Sequence, residues 1–138
     1  MAYWLLKTEP SEYSLDDLAR ATAKGGFAAW DGVANATALI HLRAMKVGDT
    51  CFIYHTGSEK QIVGTAAVVK AAYPDPKNPK LVIVDLAFAS RLSSPVTLAE
   101  IKVDPAFAGW DLLRIGRLSV VPTSAAIHKR VLQLSKKP

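Results

Sequence analysis

The sequence predicts an α+β domain, a compact and mainly antiparallel, barrel-like sheet flanked by short helices. Three observations predict it. Segments dense in β-formers outnumber helical ones. They are not regularly interleaved with helices, as a doubly wound sheet requires. The chain's 138 residues, half of them hydrophobic, amount to one core.

Tyr3–Lys7 is apolar and aromatic enough for a first strand, and Pro10 helps to stop it. A helix is expected over Ser14–Ala23, with Ser14 as cap and Asp16 and Asp17 near the positive end of its dipole. A second helix is expected over Ala34–Met45, where Ala36, Leu39, Ile40 and Arg43 recur at helical spacing before Val47-Gly48-Asp49 turns the chain. Three strands should follow, at Thr50–His55, Gln61–Lys70 and Leu81–Leu92. In the last, Val82, Val84, Leu86 and Phe88 share one face and Asp85 lies on the other. The stretch Tyr73–Lys80 holds three prolines and reads as a surface connection outside the sheet, because proline lacks a backbone donor.

Thr97-Leu98-Ala99-Glu100 matches a capping box and predicts a short helix over Thr97–Lys102. Leu118–Val121 reads as a strand ended by Pro122. A last helix near Thr123–Leu134 aligns Ile127, Val131 and Leu134, with Lys136 and Lys137 after its negative end. No repeat or low-complexity segment divides the chain, so residues 1–138 are expected to form a single domain.

No apolar run approaches the roughly 18 residues that span a bilayer, and the first residues lack the pattern of a signal peptide. One cysteine, Cys51, cannot make an internal bridge. A cytoplasmic protein, monomeric or a small oligomer, is the expectation. Lys and Arg exceed Asp and Glu by 17 to 12, a net charge of +5, compatible with a polyanion partner or with an ordinary solvated surface.

The sequence has no dinucleotide fingerprint, phosphate loop, nucleophile elbow or zinc-type spacing, and it calls for no metal or cofactor. Cys51 and His55 would lie roughly 13 Å apart on one extended strand, too far for a dyad. Cys51 reads as a small buried hydrophobe, and His41 and His128 as ordinary partly exposed residues.

Three segments carry binding chemistry. In Trp30-Asp31-Gly32-Val33-Ala34-Asn35 an indole precedes an aspartate able to cap the second helix and a glycine that permits close approach. A planar heterocycle would find an aromatic face and edge partners there; a core tryptophan beside an N-cap fits the segment equally. Tyr54-His55-Thr56 offers polar groups at a strand end, or else a core tyrosine beside a turn. Arg114 and Arg117 lie with Ser119 around a short strand, as phosphate contacts or as members of surface ion pairs. Lys7 and Thr8, ending the first strand, have similar standing.

Taken together, Tyr3–Pro10, Tyr13-Ser14, Asp16-Asp17-Leu18, Trp30-Asp31-Gly32-Val33, Asn35, Leu42–Asp49, Tyr54-His55, Ile62-Val63-Gly64, Tyr73–Pro76 and Arg117–Val120 resemble the EVE domain of the PUA-like superfamily. The resemblance covers nearly the whole chain. It implies a β-barrel with flanking helices, kinship with YTH modules that read methylated RNA, and a pocket for a modified base of DNA or RNA. Carried over by position, that pocket would take Trp30, Asp31, Gly32, Val33, Asn35, Tyr54, His55, Thr56, Lys7, Thr8 and Ser119. The chain departs from the commoner pattern at Ala34, Ala36, Thr37 and Leu39, and at Thr56 where a serine is usual.

The expected function is therefore a non-catalytic reader of a modified base in nucleic acid, with Arg114 and Arg117 on the phosphates and no membrane partner. The runner-up is a binder of a free base, nucleoside or similar heterocycle. The third reading is an enzyme on nucleic acid using Asp31, His55 or Lys7 as acid or base.

Overall fold

The computed structural model describes residues 1–136; Lys137, expected after the last helix, lies outside them. Among the described residues, six strands and five α-helices follow in the order β1 (Tyr3–Thr8), α1 (Leu15–Ala21), β2 (Ala28–Trp30), α2 (Ala36–Ala44), β3 (Thr50–His55), β4 (Gln61–Asp75), β5 (Asn78–Thr97), α3 (Leu98–Val103), α4 (Asp111–Arg114), β6 (Val120–Thr123) and α5 (Ala125–Ser135). The strands form one sheet in the order β2-β5-β4-β3-β1-β6. Every neighbouring pair is antiparallel except β1 with β3.

The expected barrel is not closed. No ladder among the described residues joins β2 to β6, so both are edges. The sequence accounts for both ends: β2 has only three residues, and β6 contains Pro122, which cannot donate to a further strand. The sheet curls far enough to bury Leu5, Leu6, Phe52, Ile53, Ile62, Leu86 and Val120 in one core against Leu18, Leu42 and Val131 of the helices.

Local chemistry set the helix starts. Ser14 accepts from the Asp17 amide while the Asp17 carboxylate accepts from the Ser14 amide, and Thr97 and Glu100 repeat the arrangement. The second helix starts later than expected, and Asn35, not Asp31, caps it by accepting from the Ala38 amide. The proline-rich stretch is not a loop. Pro74 pairs with Val82 and Asp75 with Asn78, so β4 and β5 run on almost to their tip. Pairing of β4 with β3 stops at Ala67. Pro74 therefore sits where β4 is itself an edge, and its missing donor leaves no bond unmade. Similarly, β6 starts at Val120 and carries Pro122 within it, two residues beyond the expected span.

The α5 helix docks on the sheet through His128, whose imidazole stacks on Tyr3 at 4.0 Å and on Phe52 at 4.6 Å between centroids. Its Nδ1 is buried without a partner. It is thus a packing element, and burial holds it below the ordinary histidine value. A histidine whose folded value is lowered contributes stability that is full above the unfolded value, about 6.5, and is lost as pH falls below it, because the unfolded chain takes up the proton first. Thermal unfolding followed by circular dichroism should show the midpoint falling as pH drops from neutrality toward 5. His128→Phe should flatten that slope; an unchanged slope would show that His128 does not cause it.

Candidate functional site

The end of β1, the chain just after it, strand β2 and the Asp31–Val33 segment enclose a cleft of about 690 Å³. Of the residues singled out from the sequence, it brings together Lys7, Thr8, Trp30, Asp31, Gly32, Val33 and Ser119. Trp30 is 7% exposed, so its ring is mostly wall and only its margin faces the opening. Tyr13 meets it edge to face, the centroids 6.0 Å apart. The Trp4 indole N–H donates to Asp49 and that of Trp110 to the Pro122 carbonyl, but the N–H of Trp30 has no acceptor among the described residues. It remains available to a ligand. Gly32 has φ of +78° with open space where a Cβ would be, so backbone conformation and not crowding calls for glycine there.

The charges in this cleft were not all legible. Lys7 is half-buried, donates from Nζ to the Gly116 carbonyl at 2.9 Å, and has its pKa lowered by desolvation. Facing the same space are Glu9, Glu12 and Asp31. The Ser11 amide and hydroxyl, bonded to Glu9, hold its carboxyl below the usual range. Burial raises the Tyr13 hydroxyl, with Asp17 and Asp31 adding to it. Three carboxylates against one lysine on the lining make the interior rich in hydrogen-bond acceptors and unwelcoming to phosphate. Glu9, Glu12 and Tyr13 as lining residues were missed, although Tyr3–Pro10 and Tyr13 drew attention as sequence blocks.

The remaining candidates lie elsewhere. Tyr54 and Thr56 line a smaller neighbouring cleft of about 240 Å³, with Lys60 and again Lys7, so the lysine stands between the two spaces. His55 is buried and its ring is fully engaged. Its Nε2 accepts from the Leu15 amide at 3.0 Å, leaving Nδ1 to donate to Glu59 at 2.9 Å. It clasps the start of α1 to the end of β3 and does not face a ligand. The Thr8 hydroxyl is likewise committed, donating to the Tyr13 carbonyl at 2.6 Å. Asn35 is occupied as the cap of α2 and lines neither cleft. Arg114 pairs with Asp111 at 2.6 Å, while exposed Arg117 makes no bond to a described residue. Cys51 is buried, and burial followed by the charge of Asp49 pushes its thiol far up. Among the described residues no group of three or more His, Cys, Asp or Glu is placed to hold a metal ion, and no helix is long and apolar enough to cross a membrane.

This architecture is shared with proteins of known structure. Rpa0253 from Rhodopseudomonas palustris is 42% identical, with a TM-score of 0.91 covering 98% of this chain and 93% of that one. The human THYN1 protein, solved in complex with 5-methylcytosine-containing DNA, is 30% identical at a TM-score of 0.89, covering 100% and 99%. In sequence, thymocyte nuclear protein 1 of Homo sapiens is 35% identical over 127 residues, 73% of this chain and 56% of that protein. The chain spans about half the length of the curated relatives it matches first. The family model of the EVE domain matches residues 2–134. With that match running through β1, the Trp30 segment and α5, the chain belongs to the EVE domain family.

Proposed function

We propose that this chain, as one EVE unit over residues 1–138, binds nucleic acid without catalysis and takes a single modified base into the Trp30 cleft. The observation that carries the reading is the cleft itself: an indole with a free N–H, an edge-on tyrosine and carboxylate acceptors in one space of about 690 Å³. Asp31, exposed at the mouth, suits the exocyclic amino group of a cytosine-like edge, a pairing in which a carboxylate accepts from the base. The complex of the human relative with 5-methylcytosine-containing DNA supports nucleic acid as the partner.

Leaving the stack costs the base a few kcal/mol, and contact with an aromatic returns about 1–3 kcal/mol. Phosphates stay outside the acidic interior, near Arg117 and Lys60. His55, engaged at both nitrogens, is not free to act as a base, which supports the non-catalytic reading over one that uses it. The cytoplasmic expectation rests on the lack of a membrane-spanning run or signal pattern and on the single Cys51, whereas the relatives' name describes a nuclear protein.

One observation favours binding of a free nucleoside or similar heterocycle: the carboxylates outnumber the lysine in the cleft. Fluorescence anisotropy with modified and unmodified oligonucleotides at two salt concentrations separates the readings. The expected result is preference for a modified strand, affinity that falls as salt rises, and weaker binding of that strand by Asp31→Asn. Oligonucleotide binding that ignores salt, beside tight binding of the free nucleoside, would favour the second reading.

A further inference from the structure

A second cleft, of about 680 Å³, lies along the start of β2 and over β4 and β5, and shares no lining residue with the Trp30 cleft. Its most unusual wall is Phe27, which is 60% exposed and immediately precedes β2. Strand alternation turns Phe27 away from the side that Trp30 occupies, and three residues of strand separate the two by about 10 Å. Phe88 and Val69 extend the apolar wall.

The cleft also has a polar floor. Asp85 is 4% exposed and accepts from the Tyr73 hydroxyl through Oδ1, while Oδ2 takes no bond from a described residue. Lys70 stands opposite Asp85 across the β4–β5 ladder, yet the two make no ion pair. Its ammonium lies 4.1 Å from the centroid of Tyr73 instead. An exposed aromatic face, a buried carboxylate with a spare oxygen and a lysine at the rim therefore share one space.

We propose that this cleft is a second nucleobase subsite, in which Phe27 stacks on the base next to the one held at Trp30 and Asp85 accepts from its exocyclic amino group. The inference rests on the reading of the Trp30 cleft as a base site and adds the neighbouring nucleotide to it. The short edge strand β2 is then the ridge between two bases, and the nucleic acid backbone crosses it with Lys70 near a phosphate. Stacking of this kind tolerates any base, whereas the carboxylate selects adenine, cytosine or guanine over thymine, which has no exocyclic amino group.

The test is anisotropy with a short labelled single strand, beside calorimetry with the free modified nucleoside. Because Phe27 is largely exposed, Phe27→Ala should fold normally. It is expected to weaken the strand on the order of tenfold and leave the nucleoside unchanged. An abasic site beside the modified base should bring the native protein down to the level of the variant. Asp85→Asn, which keeps an acceptor for Tyr73, should lessen the preference for a neighbouring cytosine over thymine. If Phe27→Ala binds the strand as tightly as the native protein while Asp31→Asn weakens it, this inference fails and the Trp30 reading stands. If the native protein binds neither strand nor nucleoside, both fail.

Discussion

Trp30→Ala is expected to lower affinity for a strand carrying a modified base by ten- to a hundredfold, the range that one base-to-aromatic contact supplies. The expectation follows from the placement of the indole: β2 pairs Trp30 with Val84 of β5 and holds the ring against Tyr13 at the cleft wall. Trp30 is also part of the core, and replacing a buried tryptophan by alanine costs about 3–5 kcal/mol of stability. Loss of binding must therefore be separated from loss of folding. Trp30→Phe retains a ring but removes the free N–H, and Asp31→Asn changes only an exposed group. Both should fold, as checked by circular dichroism, and both should bind more weakly. Native affinity in folded Trp30→Phe and Asp31→Asn proteins would remove the cleft from the account.

A large loss of stability that leaves the cleft untouched is expected at Asp49. Its carboxylate is buried and accepts from the Ala2 amide at 3.0 Å, the Trp4 indole at 3.0 Å and the Lys46 amide at 2.9 Å. It ties the start of β1 to the turn before β3. Asp49→Ala leaves three donors without their acceptor; the buried Trp4 indole costs about 1–3 kcal/mol and the two part-buried amides less, so the loss is on the order of 2–3 kcal/mol. Urea unfolding should show a lower midpoint with an unchanged slope. Burial raises the Asp49 value, but these donors and the chain's N-terminal charge outweigh it and leave it lowered. Its contribution is therefore present above the unfolded carboxylate value, about 3.9, and is lost as pH falls through the still lower folded value. Asp49→Asn should cost less than alanine and remove this acid-sensitive part. A midpoint unmoved by Asp49→Ala would contradict the assignment.

What could be read before the fold was known follows a physical division. The two capping boxes, Ser14 with Asp17 and Thr97 with Glu100, are closed within four residues, so the sequence alone places the helices they start. Strand β3 was legible to the residue because its β-formers end at a turn. Pro74 misled because the rule against proline in sheets applies to paired edges, and only the ladder reveals that β4 has lost its β3 neighbour there. Asp31 and Asn35 are equally good caps by type, so the sequence could not choose between them.

The site divides in the same way. The Trp30–Val33 run was visible as a contiguous segment, whereas the roles of His55 and of Glu9 depend on contacts made across the fold. His55 is taken by the Leu15 amide, forty residues away in sequence. Two of the three carboxylates that make the cleft acidic, Glu9 and Glu12, come from the chain after β1, which the Trp30 segment meets only in the folded protein. Strand β2 escaped notice because three residues, two of them alanine, carry no strand signal.

The central claim is that a base leaves its strand and enters the space beside Trp30. A crystal structure of the chain with an oligonucleotide containing 5-methylcytosine tests it most directly. The account predicts the methylated base turned out of its stack, lying against the Trp30 margin with its amino edge toward Asp31. Density showing that base still stacked in its strand, with the cleft open and the contacts made elsewhere, would contradict it.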